Sequence, residues 1–382
     1  MKHIVFCWEL GGGMGHLVPL SLLAHEMARH GHRVTFVTSD IVHAARYLAA
    51  PGIQWVQAPR LPPSHSNRPL NNHADILRVS GYESPDSLHS LLGAWHALLA
   101  ALRPDRVVCE YAPTAQLAAN ALRLPVVCID NGFSVPPVSA PMPPLRDDIP
   151  NDPHALAASE RHVLSVINAT LERIDARPLP RFSCLYEDET WYRNWPEFNH
   201  FGPHSPERHL GQIFGDTGGT PPAWPNGTGP KLFAYVKNDN KFIVPILLAA
   251  VSMGFRVLAY LPGQPATVAQ DLMGTGRALM SAMPIHLSAL DDDVEIGIWQ
   301  SPTGGVGHSL EKGMRMLFLP TQVEQYRACR AVERSGVPAV VAVQPQNWHA
   351  LIDNLMQKPR MHLGGRWQPA DIPTMAKILG GY

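Results

Sequence analysis

The first forty residues constrain the chain most. Ile4 to Cys7 is a short apolar run suited to a buried strand, and Gly11-Gly12-Gly13-Met14-Gly15 follows at once. Leu17, Leu20, Leu23, Ala24 and Met27 then recur at helical spacing up to Gly31. A second β-rich run, Val34 to Val37, completes the order strand, glycine turn, helix, strand. That is one βαβ unit, and such units build parallel, doubly wound sheets. The pattern returns at Arg106 to Cys109, a helix through Gln116 to Leu122, and Val126 to Ile129, and a helical segment over about His154 to Ile174 comes next. The expected class is α/β.

The length of 382 residues exceeds one typical domain of about 150. The clearest break is residues 211–230, dense in Gly, Pro, Thr and Asn, which reads as a linker. Beyond it a second cycle begins with Leu232–Val236 as strand, Ile243–Met253 as helix and Val257–Leu261 as strand. Glu295–Trp299, Met316–Leu319 and Val337–Val343 read as further strands, and Pro369–Tyr382 as a terminal helix. The expectation is two Rossmann-like doubly wound domains, residues 1–210 and 231–368, facing a cleft. Ligands of such sheets bind at the carboxyl ends of the strands. Two long proline-rich loops, Pro59–Pro69 and Pro136–Pro153, have lengths that are uncommon unless functional.

Charge and cysteine narrow the function. With 31 basic and 32 acidic side chains the chain lacks the broad field that nucleic acid or an anionic membrane requires. No stretch approaches the ~20 apolar residues that span a bilayer, and the apolar run within Met1–Glu9 is too short for a signal peptide. Five scattered cysteines with no C-x-x-C pair fit neither a disulfide framework nor a zinc site, so a reducing cytoplasm is expected.

Two constellations carry chemistry. The first is the glycine run ending in His16. A dinucleotide fingerprint would need its third glycine where His16 stands, so that pattern fails. His16 lies at a helix start and a strand's carboxyl end, where the helix dipole favours neutral imidazole. It reads as a satisfied structural histidine or as a base. Glu110, closing the run Arg106–Cys109, is a solvated strand end or the partner that would fix the imidazole tautomer. The second constellation is Ser301-Pro302-Thr303-Gly304-Gly305-Val306-Gly307-His308, opening a helix that includes Glu311. Glycines allow close backbone approach to a phosphate, and the first helical N–H groups can receive it. Glu324-Gln325, after the next strand, suits sugar hydroxyls.

These residues resemble the family-1 glycosyltransferases of GT-B fold, the group that includes UDP-glycosyltransferases. Gly15-His16-Leu17-Val18-Pro19 and His30-Gly31-His32-Arg33-Val34-Thr35-Phe36-Val37-Thr38 are similar to the family's opening G-H-x-x-P and its second strand. Gly304-Gly305-Val306-Gly307 through Glu311, then Leu319-Pro320, Glu324-Gln325, Ala328, Val332 and Gly336, resemble its donor signature, and Gly202-Pro203 matches a pair that precedes the linker. The resemblance implies an N-terminal acceptor domain, on which the C-terminal helix packs back, and a C-terminal donor domain. It implies that His16 deprotonates an acceptor hydroxyl with Glu110 behind it, and that a hexose moves with inversion from a UDP- or dTDP-sugar to a small or lipid-like acceptor. Thr303, Gly304, Gly305, Gly307 and His308 would hold the diphosphate, Glu311 the ribose, and Glu324 with Gln325 the sugar, with no metal and no further cofactor.

The chain departs from the family at three places. Thr303 stands where a phosphate-binding histidine is usual, and His308 replaces a hydroxyl residue, so His308 is expected to take over part of the phosphate contact. The stretch between Glu311 and Pro320 is shorter than the usual pattern. These departures keep two alternatives open, an inactive sugar-nucleotide-binding module and a sugar-nucleotide epimerase on the same fold. Two motifs remain outside the assignment. Asp291-Asp292-Asp293 resembles a metal-binding D-x-D but reads as a solvated acidic turn, and Lys237 lies in a polar loop, Lys237–Lys241, from which it could reach a diphosphate.

Overall fold

The structure is a computed structural model that describes residues 1–62, 69–204, 208–215, 218–237, 240–365 and 367–381. Residues 63–68 of the first proline-rich loop and 216–217 of the expected linker lie outside the described residues, as do 238–239 of the loop after Lys237. The chain divides into two compact units, Met1–Asn194 with Pro203–Ile213 and Ala370–Tyr382, and Trp195–Gly202 with Phe214–Pro369.

The first unit carries strands β1 (His3–Trp8), β2 (Arg33–Thr38), β3 (Ile53–Gln57), β4 (Arg106–Glu110), β5 (Val126–Asp130) and β6 (Thr190–Tyr192). Helices α1 (Met14–Arg29), α2 (Ile41–Tyr47), α3 (His73–Leu77), α4 (Pro85–Leu102), α5 (Pro113–Ala121) and α6 (Pro153–Glu172) join them. The sheet runs β3-β2-β1-β4-β5-β6 and every pairing is parallel. β1 is central, which is why all six of its residues are buried. Ile4, Phe6 and Trp8 enter the core on one face, Val5 and Cys7 the core on the other. Burial on both faces explains the continuous apolar runs.

The second unit repeats the plan with β7 (Lys231–Tyr235), β8 (Arg256–Tyr260), β9 (Ala278–Ser281), β10 (Val294–Trp299), β11 (Arg315–Phe318) and β12 (Ala339–Val341). Its helices are α7 (Ile243–Ser252), α8 (Ala266–Gly274), α9 (Gly305–Lys312), α10 (Val323–Arg334) and α11 (Trp348–Met356). The sheet order is β12-β11-β10-β7-β8-β9, again parallel throughout. The last helix, α12 (Ile372–Gly380), returns to the first unit, where Met375, Ala376 and Leu379 join the core that contains Ile4, Leu17 and Leu20.

The structure differs from the expected domain limits in two ways: the expected linker divides between the units after Ile213, and an earlier segment belongs to the second unit. Trp195–Gly202 belongs to the second unit, although it precedes the linker by several residues. Trp195 and Phe198 pack in that unit's core beside Trp367, and the Trp195 indole N–H donates to the Gln368 carbonyl at 2.7 Å. Aromatic burial outweighs chain order here. Among the strands, Val337–Val343 shortens to Ala339–Val341, while β3, β6 and β9 lie at or near sheet edges with little or no apolar alternation to announce them. No helix among the described residues is long and apolar enough to cross a membrane.

Candidate functional site

At the carboxyl end of the first sheet, β1 pairs with β4 so that Trp8 lies level with Glu110. The chain leaves β1 through Gly11, whose φ of +76° is a left-handed conformation that suits glycine. It then enters α1, which places His16 in the first turn. The imidazole Nδ1 lies 2.8 and 2.9 Å from the two Glu110 carboxylate oxygens, and both residues are buried. With Glu110 as acceptor, Nδ1 carries the proton and Nε2 is left as the basic nitrogen. The Trp8 indole stacks on the imidazole at 5.3 Å. A side chain at Gly11 would put its Cβ 2.7 Å from His16 Nε2, so glycine keeps that nitrogen approachable.

Three further residues complete this cluster. Arg193, just after β6, donates from Nη2 to Glu110 Oε1 at 3.0 Å, with both side chains almost fully buried. Asp130, ending β5, accepts from the Gly132 N–H at 2.5 Å, the Ser134 N–H at 3.0 Å and the Ser134 hydroxyl. Burial raises the Asp130 carboxyl above the usual range, and the nearby Glu110 charge adds to this while Arg193 opposes it. Tyr111 holds a positive φ of +46° beside His16, and strained backbone of this kind concentrates at functional sites. Asp130 was findable, since it closes an apolar strand run as Glu110 does. Arg193 was not, because the three-residue β6 that presents it carries no pattern.

In the second unit the glycine turn opens α9. Gly304 is the N-cap with φ +83°, faces open space, and no side chain caps the helix. The other two glycines answer to packing. A Cβ at Gly305 would lie 2.5 Å from the Trp299 ring, and one at Gly307 would lie 2.5 Å from Phe214. Trp299 is buried, and its indole N–H donates to the Ser309 hydroxyl at 2.9 Å. The aromatic rings thus fill the space that side chains at Gly305 and Gly307 would take, and the Gly305 and Val306 N–H groups donate to the Pro302 carbonyl at 3.1 and 3.0 Å.

His308 is buried against Phe214, with Nδ1 3.4 Å from a Glu311 carboxylate oxygen. Burial holds its imidazole below the usual range, opposed by Glu311. So placed, His308 adjoins Glu311 within the first turns of α9. Glu311 itself is exposed, Thr303 is half-buried, and the Thr303 N–H donates to the Ser301 hydroxyl at 3.4 Å. The loops at the carboxyl strand ends are tied together. Gln300 accepts from the Lys237 N–H and donates to Thr321, whose N–H donates to the Gln325 amide oxygen at 3.0 Å. Glu324 lies half-buried in the first turn of α10. The acidic run is a charge-paired turn: Lys231 meets Asp291 and Asp293 at 2.5 and 2.7 Å, and Lys312 meets Asp292 at 3.0 Å. Among the described residues no group of three or more His, Cys, Asp or Glu could hold a metal ion.

No family model matches the chain, and no curated protein does. Solved structures do. The chain is similar to the calicheamicin glycosyltransferase CalG4 at TM-score 0.66 and 18% identity, covering 99% of this chain and 93% of that one. It is similar to the spinosyn rhamnosyltransferase SpnG complexed with thymidine diphosphate, at TM-score 0.63 and 15% identity, with coverage of 100% and 95%. The Streptomyces sp. SF2575 glycosyltransferase SsfS6 complexed with thymidine diphosphate matches at TM-score 0.62 and 13% identity, with coverage of 100% of both chains. Two parallel six-stranded Rossmann-like units with this full-length likeness define the GT-B fold.

Proposed function

We propose that the protein is an inverting glycosyltransferase that moves a hexose from a nucleoside-diphosphate sugar to a hydroxyl of a small or lipid-like acceptor. The observation that carries this reading is the buried His16–Glu110 contact, with Gly11 leaving beside His16 Nε2 the space that a Cβ would fill. The acceptor hydroxyl gives its proton to His16 Nε2 as its oxygen attacks the anomeric carbon. The Glu110 carboxylate stabilises the imidazolium that forms. The bond to the diphosphate breaks on the opposite face, which inverts the centre. The N-terminus of α9, which no side chain caps, receives the leaving charge, where the helix dipole favours an anion. Glu311, positioned by His308, binds the ribose hydroxyls, and Glu324 with Gln325 the transferred sugar.

Thymidine diphosphate in the similar structures favours a dTDP-sugar over a UDP-sugar, and the complex of SpnG with spinosyn aglycone favours a small-molecule acceptor. The five free thiols support a cytoplasmic location. The runner-up, a binding module without turnover, is favoured by Thr303 in place of the usual histidine.

Binding of dTDP and UDP is measured by titration calorimetry, and nucleoside diphosphate release from their sugars is assayed with and without apolar alcohol acceptors. Wild type should bind dTDP and release it. His16→Ala should bind it equally well yet release it about 10²–10⁴-fold more slowly, the usual contribution of a general base. Binding without release from any donor points to the module, and no nucleotide binding at all defeats both readings.

A further inference from the structure

We infer that Arg193 is a positioning residue for the His16–Glu110 pair, holding the Glu110 carboxylate against the imidazole and offsetting part of its charge. The inference rests on the base role proposed for His16.

Four strands of the first sheet deliver one group each to this point. His16 follows β1, Glu110 ends β4, Asp130 ends β5 and Arg193 follows β6. From β6, Arg193 reaches across β5 to β4, a span of two strand spacings or about 10 Å, which suits the longest cationic side chain. Its base is pinned. The Arg193 N–H donates to the Asp130 carbonyl at 2.8 Å, the Asn194 amide donates to the Asn131 carbonyl at 2.8 Å, and Asn194 Oδ1 lies 2.8 Å from His209 Nδ1. The guanidinium is almost fully buried, and its Nε–H has no hydrogen-bond partner among the described residues. A buried cation held this firmly, with part of its donor set unused, serves the one carboxylate it meets.

The consequence is electrostatic. Glu110 Oε1 accepts from Arg193 and also lies 2.8 Å from His16 Nδ1, so one oxygen serves both partners. Among the described residues, the charged and titratable groups near the pair include Arg193, Asp130, and Tyr111 beside the imidazole, while Glu9 after β1 is turned to the Thr114 N–H at 2.9 Å. Arg193 is the cation that pairs with Glu110. Without it, the Glu110 charge acts more strongly on the imidazole, and protonation of the pair becomes easier.

The test uses Arg193→Gln and Arg193→Lys in the full chain. The His16 imidazole is titrated by NMR without substrate, alongside the pH profile of nucleoside diphosphate release. Arg193→Gln should move the titration midpoint and the acidic limb of the profile to higher pH by roughly one unit. Arg193→Lys keeps the charge and should bring the midpoint back towards wild type. A folded Arg193→Gln protein with an unmoved His16 titration overturns the inference. Should Arg193→Gln fail to fold, the Lys variant decides: a midpoint near wild type with slower release supports the inference, and release unchanged in rate and pH profile overturns it. Because the NMR titration needs no substrate, the two failures are distinct: failure of every donor to react defeats the proposed reaction, and an unmoved His16 titration defeats the role of Arg193.

Discussion

At the residue scale, the chemistry of the first unit depends on what Gly11 lacks. Its φ of +76° is one that an L side chain enters at a cost of about 1–2 kcal/mol, and a methyl there would meet His16 Nε2 at 2.7 Å and Cε1 at 3.0 Å. Gly11→Ala should therefore lower kcat/KM by roughly a hundredfold, the scale of a displaced catalytic group, while dTDP binding in calorimetry stays as in wild type. Retained turnover would show that Nε2 is not the working nitrogen. The glycine run was visible in the sequence, but its use was not: a helix-entry turn and space for a base look alike until the imidazole is placed.

At the element scale, α9 shows why a glycine pattern alone misleads. Three glycines in Gly304-Gly305-Val306-Gly307 suggest one shared purpose, phosphate approach, and the structure gives them separate ones. Gly304 supplies a left-handed N-cap, Gly305 admits the Trp299 ring and Gly307 admits Phe214. Gly305→Ala forces a Cβ within 2.5 Å of an indole fixed by its bond to Ser309, which should cost about 1–3 kcal/mol. Gly304→Ala meets open space and pays only for its φ, about 1 kcal/mol. Urea unfolding measures both, and equal losses would reject the packing account. The same contrast explains the strands. β1, β4 and β5 are covered on both faces and read as apolar runs, whereas β6 and β9 take their place from their neighbours' hydrogen bonds.

At the scale of the whole molecule, one buried carboxyl ties stability to pH. Glu9 follows β1, and burial pushes its pKa from 4.5 up to about 7, opposed by hydrogen bonds at the start of α5. The folded chain keeps this proton to about pH 7, while the unfolded chain releases it near 4.5. Stability from Glu9 is thus present below pH 4.5 and lost as pH rises to 7, by up to about 3 kcal/mol. Urea unfolding of wild type and Glu9→Gln at pH 5 and pH 8 should show wild type losing ground to the variant at the higher pH. Parallel behaviour would show that Glu9 does not titrate in this range. The sequence by itself determined the α/β class, the repeated strand–helix cycle, the neutral charge and the places of His16, Glu110 and the α9 turn. All of these are local: apolar period, glycine punctuation and strand ends are set by neighbours along the chain. Only the tertiary structure decided that Trp195–Gly202 leaves its sequence neighbours for the second unit. It also decided that His308 faces Glu311, and that Arg193 shares the carboxylate of Glu110, 83 residues away in sequence. Those pairings depend on burial and on which strand lies beside which, information that no window of adjacent residues contains.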